Sequence, residues 1–136
     1  MTYEQWQELV PEEVRGDSLW NLKAYRLALF LADLAWHDAG KLLREKRTCD
    51  AADQLWRAAG KISAHMAEGY SRRTGKERSR YYEYALGSSR ESRDWYYKSR
   101  HVLGDRVTRH RLDLTTQLIR LTMTMTRNER AANRSL

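Results

Sequence analysis

The sequence predicts an all-α protein, an antiparallel up-down-up-down four-helix bundle preceded by a short N-terminal arm. Residues that break helices are scarce, since the 136 residues include one proline, Pro11, and seven glycines. This scarcity favours long helices over a sheet of many strands. Apolar residues recur at helical spacing in four segments separated by polar stretches, and helices joined by short loops pack antiparallel. We predict helices near residues 18–44, 51–72, 75–103 and 106–128.

The length and composition indicate one folded domain. A charged fraction of 32% beside 41% hydrophobic residues is typical of a soluble globular chain rather than a disordered one. We divide the chain into an N-terminal arm (residues 1–17), the bundle (18–130) and a frayed C-terminal tail (131–136). Within the arm, a short helix is predicted around Trp6 and Leu9.

The composition also predicts a cytoplasmic compartment and no contact with a membrane. Cys49 is the single cysteine, so it cannot form an internal disulfide, and a reducing compartment is expected. The most apolar run, residues 27–36, is about half as long as a membrane span needs and contains Asp33. We expect a buried helix there.

The first predicted helix is apolar on two sides. One stripe contains Leu22, Tyr25, Leu29, Ala32 and Trp36, and its neighbour contains Trp20, Leu27, Leu31, Leu34 and Ala35. A helix that is apolar on two sides is packed on two sides. In so small a domain, we expect the second side to contact another subunit.

A capping signal marks the turn between the second and third predicted helices. The second helix carries one apolar stripe, formed by Leu55, Ala59, Ile62, Met66 and Gly69. After it, Thr74 and Glu77 have the spacing of a capping box, in which each side chain bonds the backbone N–H of the other residue. The third helix is therefore predicted to start at this turn.

The fourth segment carries two conflicting patterns. Residues 121–126 alternate between apolar residues and threonine, which by itself predicts a strand. However, Leu114, Leu118, Leu121 and Met125 keep helical spacing, and a lone strand would have no partner. We therefore predict a helix.

Positive charge is concentrated in the second half of the chain. Residues 1–70 contain nine Lys and Arg against eleven Asp and Glu, whereas residues 71–136 contain sixteen against seven. A concentrated positive field attracts phosphate polymers and acidic protein surfaces. Nucleic acid and an acidic protein partner are therefore both candidate ligands.

The candidate nucleic-acid-binding residues lie in two groups along the third predicted helix. The first group, at its start, contains Arg72, Arg73, Lys76, Arg78 and Arg80, and the second, further along, contains Arg90, Arg93 and Arg100. Tyrosines lie between them, and arginine beside tyrosine suits phosphate contact with base stacking. The alternative is a solvated surface that Glu83, Glu91 and Asp94 partly neutralise.

The segment from Ile62 to Glu91 resembles the signature of the four helix bundle protein family, also called the 23S rRNA-intervening sequence protein family. The residues that carry the resemblance are Ile62, Ala67, Glu68, Gly69, Arg72, Lys76, Glu77, Ala85, Gly87, Ser88 and Glu91. His65 stands where that family usually has asparagine. The resemblance implies a small bacterial bundle, often a homopentamer, without established catalysis. Its relatives include the accessory variability determinant of diversity-generating retroelements, a basic pentamer that binds nucleic acid and a reverse transcriptase.

An enzyme is the least favoured interpretation. A catalytic Glu68 would need a second titrating group such as His65 and a pocket, whereas an ion pair with Arg72 one turn later is the simpler expectation. The four histidines lack the spacing of a metal site, so neither a metal nor a cofactor is expected. We therefore predict a non-enzymatic, self-assembling, basic scaffold that binds DNA or RNA, with a protein-binding adaptor as the alternative.

Overall fold

Helices are the regular secondary structure of the described part of the protein. The computed structural model describes residues 1–134, which contain seven α-helices, two short 3₁₀ segments and no β-strand. The α-helices are α1 (Tyr3–Leu9), α2 (Glu12–Arg15), α3 (Lys23–Leu42), α4 (Cys49–Tyr70), α5 (Gly75–Lys98), α6 (Arg100–Leu103) and α7 (Asp105–Arg134). The 3₁₀ segments are Ser18–Asn21 and Lys46–Thr48. The all-α prediction is confirmed, and α3, α4, α5 and α7 are the four long helices.

The prediction of one continuous third helix over residues 75–103 is wrong. The chain leaves helical dihedral angles at Ser99, where ψ is 1°, so α5 ends at Lys98 and a separate turn, α6, follows. Gly104 then ends α6 with φ at 83°, the one positive φ between residues 1 and 134. Glycine adopts this conformation without the steric penalty that a Cβ would add.

The helical prediction for residues 121–126 is confirmed, and the threonines explain the misleading alternation. The hydroxyl groups of Thr115, Thr122 and Thr126 each donate to the carbonyl oxygen four residues earlier, at 2.8 Å. A buried hydroxyl bonded in this way leaves no unsatisfied polar group. The helix runs six residues past its predicted end at residue 128 and includes residues 131–134 of the predicted tail. Residues 135 and 136 lie outside the described part of the chain.

The two apolar stripes of α3 have different environments. In the second stripe, Leu27, Leu31 and Ala35 are buried in the core. The first stripe is covered only in part, because Leu29 and Ala32 are half-buried and Trp36 is 67% exposed. One side of α3 therefore packs against the other helices, and the other side faces outward.

The N-terminal arm is folded onto α3. Trp6 is buried, and its indole Nε1–H donates to Asp33 at 2.7 Å. Its ring also packs against Trp20 and Phe30, with centroids 6.0 and 5.4 Å away. The predicted short helix is present as α1, and Pro11 precedes a second short helix, α2.

A buried carboxylate connects three of the long helices. Asp38 on α3 has no solvent exposure. It accepts hydrogen bonds from the hydroxyl of Tyr96 on α5 at 2.8 Å and from the guanidinium of Arg111 on α7 at 2.7 and 3.2 Å. Sequence reasoning did not predict that these three residues meet, because they are distant in the chain.

Gly69 allows α4 and α5 to approach closely. A Cβ at this position would lie 2.8 Å from Tyr81 Cβ and 2.9 Å from a ring carbon of Tyr82. Neither neighbour is the free end of a flexible side chain. A larger residue would therefore have to push the two helices apart.

We predict that Gly69→Ala destabilises the protein by about 1–3 kcal/mol, the usual cost of overpacking. Gly87→Ala is the matched control, because nothing lies within 4 Å of a Cβ built at that helical position. It should stabilise the protein by about 0.5–1 kcal/mol through the better helix propensity of alanine. Urea unfolding followed by circular dichroism measures both changes. Equal effects of the two substitutions would contradict the close approach.

Candidate nucleic-acid interface

The first group of predicted binding residues occupies the corner between α4 and α5, which we call the α4–α5 corner (residues 72–80). Arg72 and Arg73 follow the end of α4, and α5 starts immediately afterwards. Thr74 Oγ1 accepts from the backbone N–H of Glu77 at 3.1 Å, which confirms the threonine half of the capping box. The end of α4 and the start of α5 thus bring these basic residues together around the connection between the two helices.

Two arginines of this corner are engaged in the fold. The Arg72 guanidinium donates to Glu68 at 2.7 Å and to the Tyr81 hydroxyl at 3.0 Å, and it lies over the Tyr81 ring. Arg78 donates to Glu129 on α7 at 2.8 Å and to the Arg72 carbonyl oxygen at 3.0 Å. Both guanidinium groups therefore hold contacts within the protein, and a ligand would have to compete with them.

The other three cations of the corner point to solvent. Arg73 and Lys76 are exposed and have no hydrogen-bond or ion-pair partner among the described residues. Arg80 is also exposed and donates to the Tyr84 hydroxyl at 2.8 Å. These three side chains are the ones that a bound anion would reach.

The second group of predicted residues lies along α5 and at the start of α6. Arg90 is exposed without a partner in the described structure, and Arg93 donates to Thr116 Oγ1 on α7 at 3.2 Å. Arg100, on α6, lies 4.1 Å from the centroid of the Tyr97 ring. Arg93 therefore reaches α7, Arg90 lies one turn before it on α5, and Arg100 lies beyond the end of α5.

Helix α7 adds basic residues that sequence reasoning missed. Arg120 and Arg127 follow Thr116 by four and eleven residues, spacings that place all three on one side of a helix. Both arginines are exposed and unpaired in the described structure. Together with Arg90 and Arg93 they form what we call the α5–α7 surface. The recurrence of arginine at helical spacing along α7 was the signal available in the sequence.

The three acidic residues of the alternative interpretation are bonded to other partners. Glu83 forms an ion pair with Arg130, and Asp94 forms one with Lys98 at 2.6 Å. Glu91 accepts from the Trp95 indole at 3.2 Å. None of the three contacts Arg90 or Arg93.

The tyrosines divide into buried and accessible ones. Burial raises the pKa of Tyr96, and burial followed by the charge of Glu129 raises the pKa of Tyr82 to about 12. Both are neutral core side chains at ordinary pH. Tyr84 and Tyr97 are 42% and 54% exposed, so part of each ring reaches solvent beside the contacts with His65 and Arg100.

The signature residues have mainly structural environments. Ile62, Gly69 and Ser88 are buried, whereas Glu68, Gly87 and Glu91 are exposed and Ala67 is half-buried. The expected pairing of Glu68 with Arg72 is confirmed. His65 packs against the Tyr84 ring, and desolvation followed by the charge of Lys61 lowers its pKa.

The described residues contain neither a metal-binding cluster nor a membrane-spanning helix. No group of three or more His, Cys, Asp or Glu side chains is arranged to hold a metal ion. In the same part of the chain, no helix combines the length and apolar character that crossing a membrane requires.

Comparison with known proteins identifies the family. No curated protein and no solved structure matches the chain. A family model described as 23S rRNA-intervening sequence protein matches residues 20–123. The match leaves out the arm before residue 20 and the end of α7, and it covers well over half of the chain. The chain therefore belongs to the 23S rRNA-intervening sequence protein family.

Proposed function

We propose that this protein is a non-enzymatic, self-assembling helical scaffold that binds nucleic acid through the α5–α7 surface and the exposed cations of the α4–α5 corner. The observation that carries the proposal is the set of exposed cations without partners: Arg73, Lys76, Arg90, Arg120 and Arg127. Such side chains bind a phosphate backbone most favourably, because no ion pair within the protein has to be broken first. Binding them releases counterions, so affinity should fall steeply as salt rises.

The placement of the cations favours non-specific binding. The cations lie on helix surfaces and around one turn, and exposed Tyr84 and Tyr97 offer rings on which bases could stack. Phosphate contacts position a nucleic acid without reading its sequence. We propose weak contacts of each protomer with DNA or RNA, which repeated copies would strengthen.

A protein-binding adaptor is the second candidate, and one observation favours it. Trp36 and Trp56 lie in edge contact on the outer side of α3 and α4, at a centroid distance of 5.3 Å. With Gly40 and Leu43 they form what we call the α3–α4 surface, around a cavity of about 310 Å³. Exposed tryptophans at this density are typical of protein contacts.

In the scaffold that we propose, a second copy of this chain covers the α3–α4 surface, whereas in the adaptor a different protein would cover it. The half-buried first stripe of α3, including Leu29 and Ala32, continues the apolar area away from Trp36. Self-association, which the family resemblance implies, would cover this apolar area. A pentamer is the assembly that we favour. Cys49 is free and exposed, in keeping with the cytoplasmic compartment proposed for such an assembly.

We also propose that the long helices form an antiparallel up-down-up-down four-helix bundle. The start of α5 lies beside the end of α7, and a later part of α5 lies beside an earlier part of α7. Arg78 bonds Glu129, whereas Arg93 bonds Thr116. Likewise, Tyr70 at the end of α4 donates to Ser18 just before α3.

Spin-label distances test the bundle arrangement. With Cys49→Ser as background, a label at residue 80 should lie closer to one at 127 than to one at 109. The expected difference is roughly 20 Å, because 18 helical residues span about 27 Å. Pulsed electron paramagnetic resonance on labelled protein diluted with unlabelled protein measures both distances. The reverse order would contradict antiparallel packing.

Charge removal tests the nucleic-acid interface. The triple variant Arg90→Gln/Arg120→Gln/Arg127→Gln should weaken binding to a 30-nucleotide single strand and to a 30-base-pair duplex. We expect about a tenfold or larger loss at low salt and a shallower salt dependence, because fewer phosphates are neutralised. Gel-shift titration measures the affinity, and circular dichroism checks that the helices remain.

The matched control removes the same charge elsewhere. Lys23, Arg44 and Lys61 are exposed cations without partners in the described structure, so their replacement by Gln has the same effect on net charge. It should cost much less affinity. Equal losses of affinity would mean that binding depends on net charge and not on this surface. If the unmodified protein does not bind nucleic acid, the adaptor is the better candidate.

A charge on the α3–α4 surface tests the assembly. Trp36→Glu should reduce the mass measured by light scattering to that of a monomer or a smaller oligomer, with the helical signal unchanged. Tyr97→Glu, at an exposed aromatic residue on α5, is the control and should not change the mass. A charge at Leu31 would test the core instead, because Leu31 is fully buried. A monomeric unmodified protein would refute the assembly.

A further inference from the structure

A cavity beside the N-terminal arm belongs to neither proposed surface. It has a volume of about 630 Å³ and lies between the arm, α3 and the first turns of α7. This volume is in the range of small-molecule sites. None of the cations of the α5–α7 surface or the α4–α5 corner lines it. The wall formed by Trp6 lies outside the region that the family model matches.

The arm holds its wall of the cavity in a defined position. Trp6 donates to Asp33 at 2.7 Å and packs against Phe30, so the indole is fixed from two directions. The neighbouring Tyr3 hydroxyl accepts from Arg26 Nε at 3.1 Å, which ties α1 to α3 a second time. A site built this way requires little ordering when a ligand enters.

The cavity combines an apolar aromatic side with a rim of hydrogen-bond donors. Trp6, Phe30, Leu34 and Val107 supply the apolar lining. Arg106 stands at the rim, is exposed and has no partner among residues 1–134. The carboxylate of Asp33, also in the lining, already accepts from Trp6.

The network around Asp38 determines which atom of His110 can donate. Asp38 fixes the Arg111 guanidinium through Nε and Nη2, and Nη1 lies 2.6 Å from His110 Nδ1. Arginine has only donors, so Nδ1 accepts and the ring proton resides on Nε2. Partial desolvation, followed by the charge of Arg111, lowers the pKa of His110. The ring is therefore neutral near pH 7 and offers Nε2–H as a donor.

We propose that this cavity binds a small aromatic carboxylate. Its ring packs on the side formed by Trp6 and Phe30, because aromatic rings gain from offset or edge contact with one another. Its carboxylate accepts from the rim donors, Arg106 and His110, and a charge-assisted bond to a guanidinium is among the stronger hydrogen bonds in proteins. Met1 also lines the cavity, and its ammonium group adds positive charge near His110.

Titration with 1-naphthoate tests the site on the full chain. Binding should be saturable by calorimetry, and it should shift the nuclear magnetic resonance signal of the Trp6 indole N–H. The uncharged 1-naphthamide should bind about tenfold more weakly or not at all. Arg106→Gln should weaken 1-naphthoate about tenfold, the approximate value of one charge-assisted hydrogen bond.

Two further variants decide between this site and general attraction. Arg120→Gln removes an unpaired, exposed arginine from the same helix far from the cavity and should leave affinity for 1-naphthoate unchanged. Val107→Trp should fill the cavity and abolish binding. Absence of saturable binding, equal affinity for 1-naphthamide, or equal effects of Arg106→Gln and Arg120→Gln would overturn the proposal.

Discussion

The buried carboxylate of Asp38 is the constraint around which this structure is organised. A carboxylate without solvent is costly unless its oxygens are satisfied, and Asp38 obtains this from Tyr96 and Arg111. The three residues belong to α3, α5 and α7, so the requirement is met in one mutual position of these helices. An ion pair of this kind contributes little net stability when compared with apolar packing. Its main effect is to penalise any shift of one helix along another, because a shift would leave a buried charge unpaired.

Small side chains complete the close packing of the long helices. Gly69 gives space to Tyr81 and Tyr82, and the buried hydroxyl groups of Ser89 and Ser92 donate to carbonyl oxygens within α5. Serine and threonine on buried faces would normally introduce unsatisfied polar groups. Bonding back to the same helix removes that cost, so polar residues occupy the core without requiring partners on neighbouring helices.

The basic residues have two distinct uses in the fold. Arg72, Arg78 and Arg111 are bonded to carboxylates and help to hold helices together. On the α5–α7 surface, Arg90, Arg120 and Arg127 are exposed and Arg93 is half-buried, and none of the four forms an ion pair within the described structure. The tryptophan-rich α3–α4 surface is formed by different helices. Self-association through α3 and α4 would therefore leave the basic surface accessible, so the two proposed activities are compatible.

The sequence alone determined the helical class, the four long helices and the concentration of positive charge after residue 70. Periodicity and charge are local properties, and therefore they are visible without the fold. Only the tertiary structure decided which apolar stripe of α3 is buried and which arginines are unpaired, because both depend on neighbours distant in the chain. Arg78 was predicted as a binding residue, yet its partner, Glu129, lies 51 residues away. The grouping of Arg120 and Arg127 with Arg90 also depends on the tertiary structure, because packing of α7 on α5 creates a surface that neither helix contains by itself.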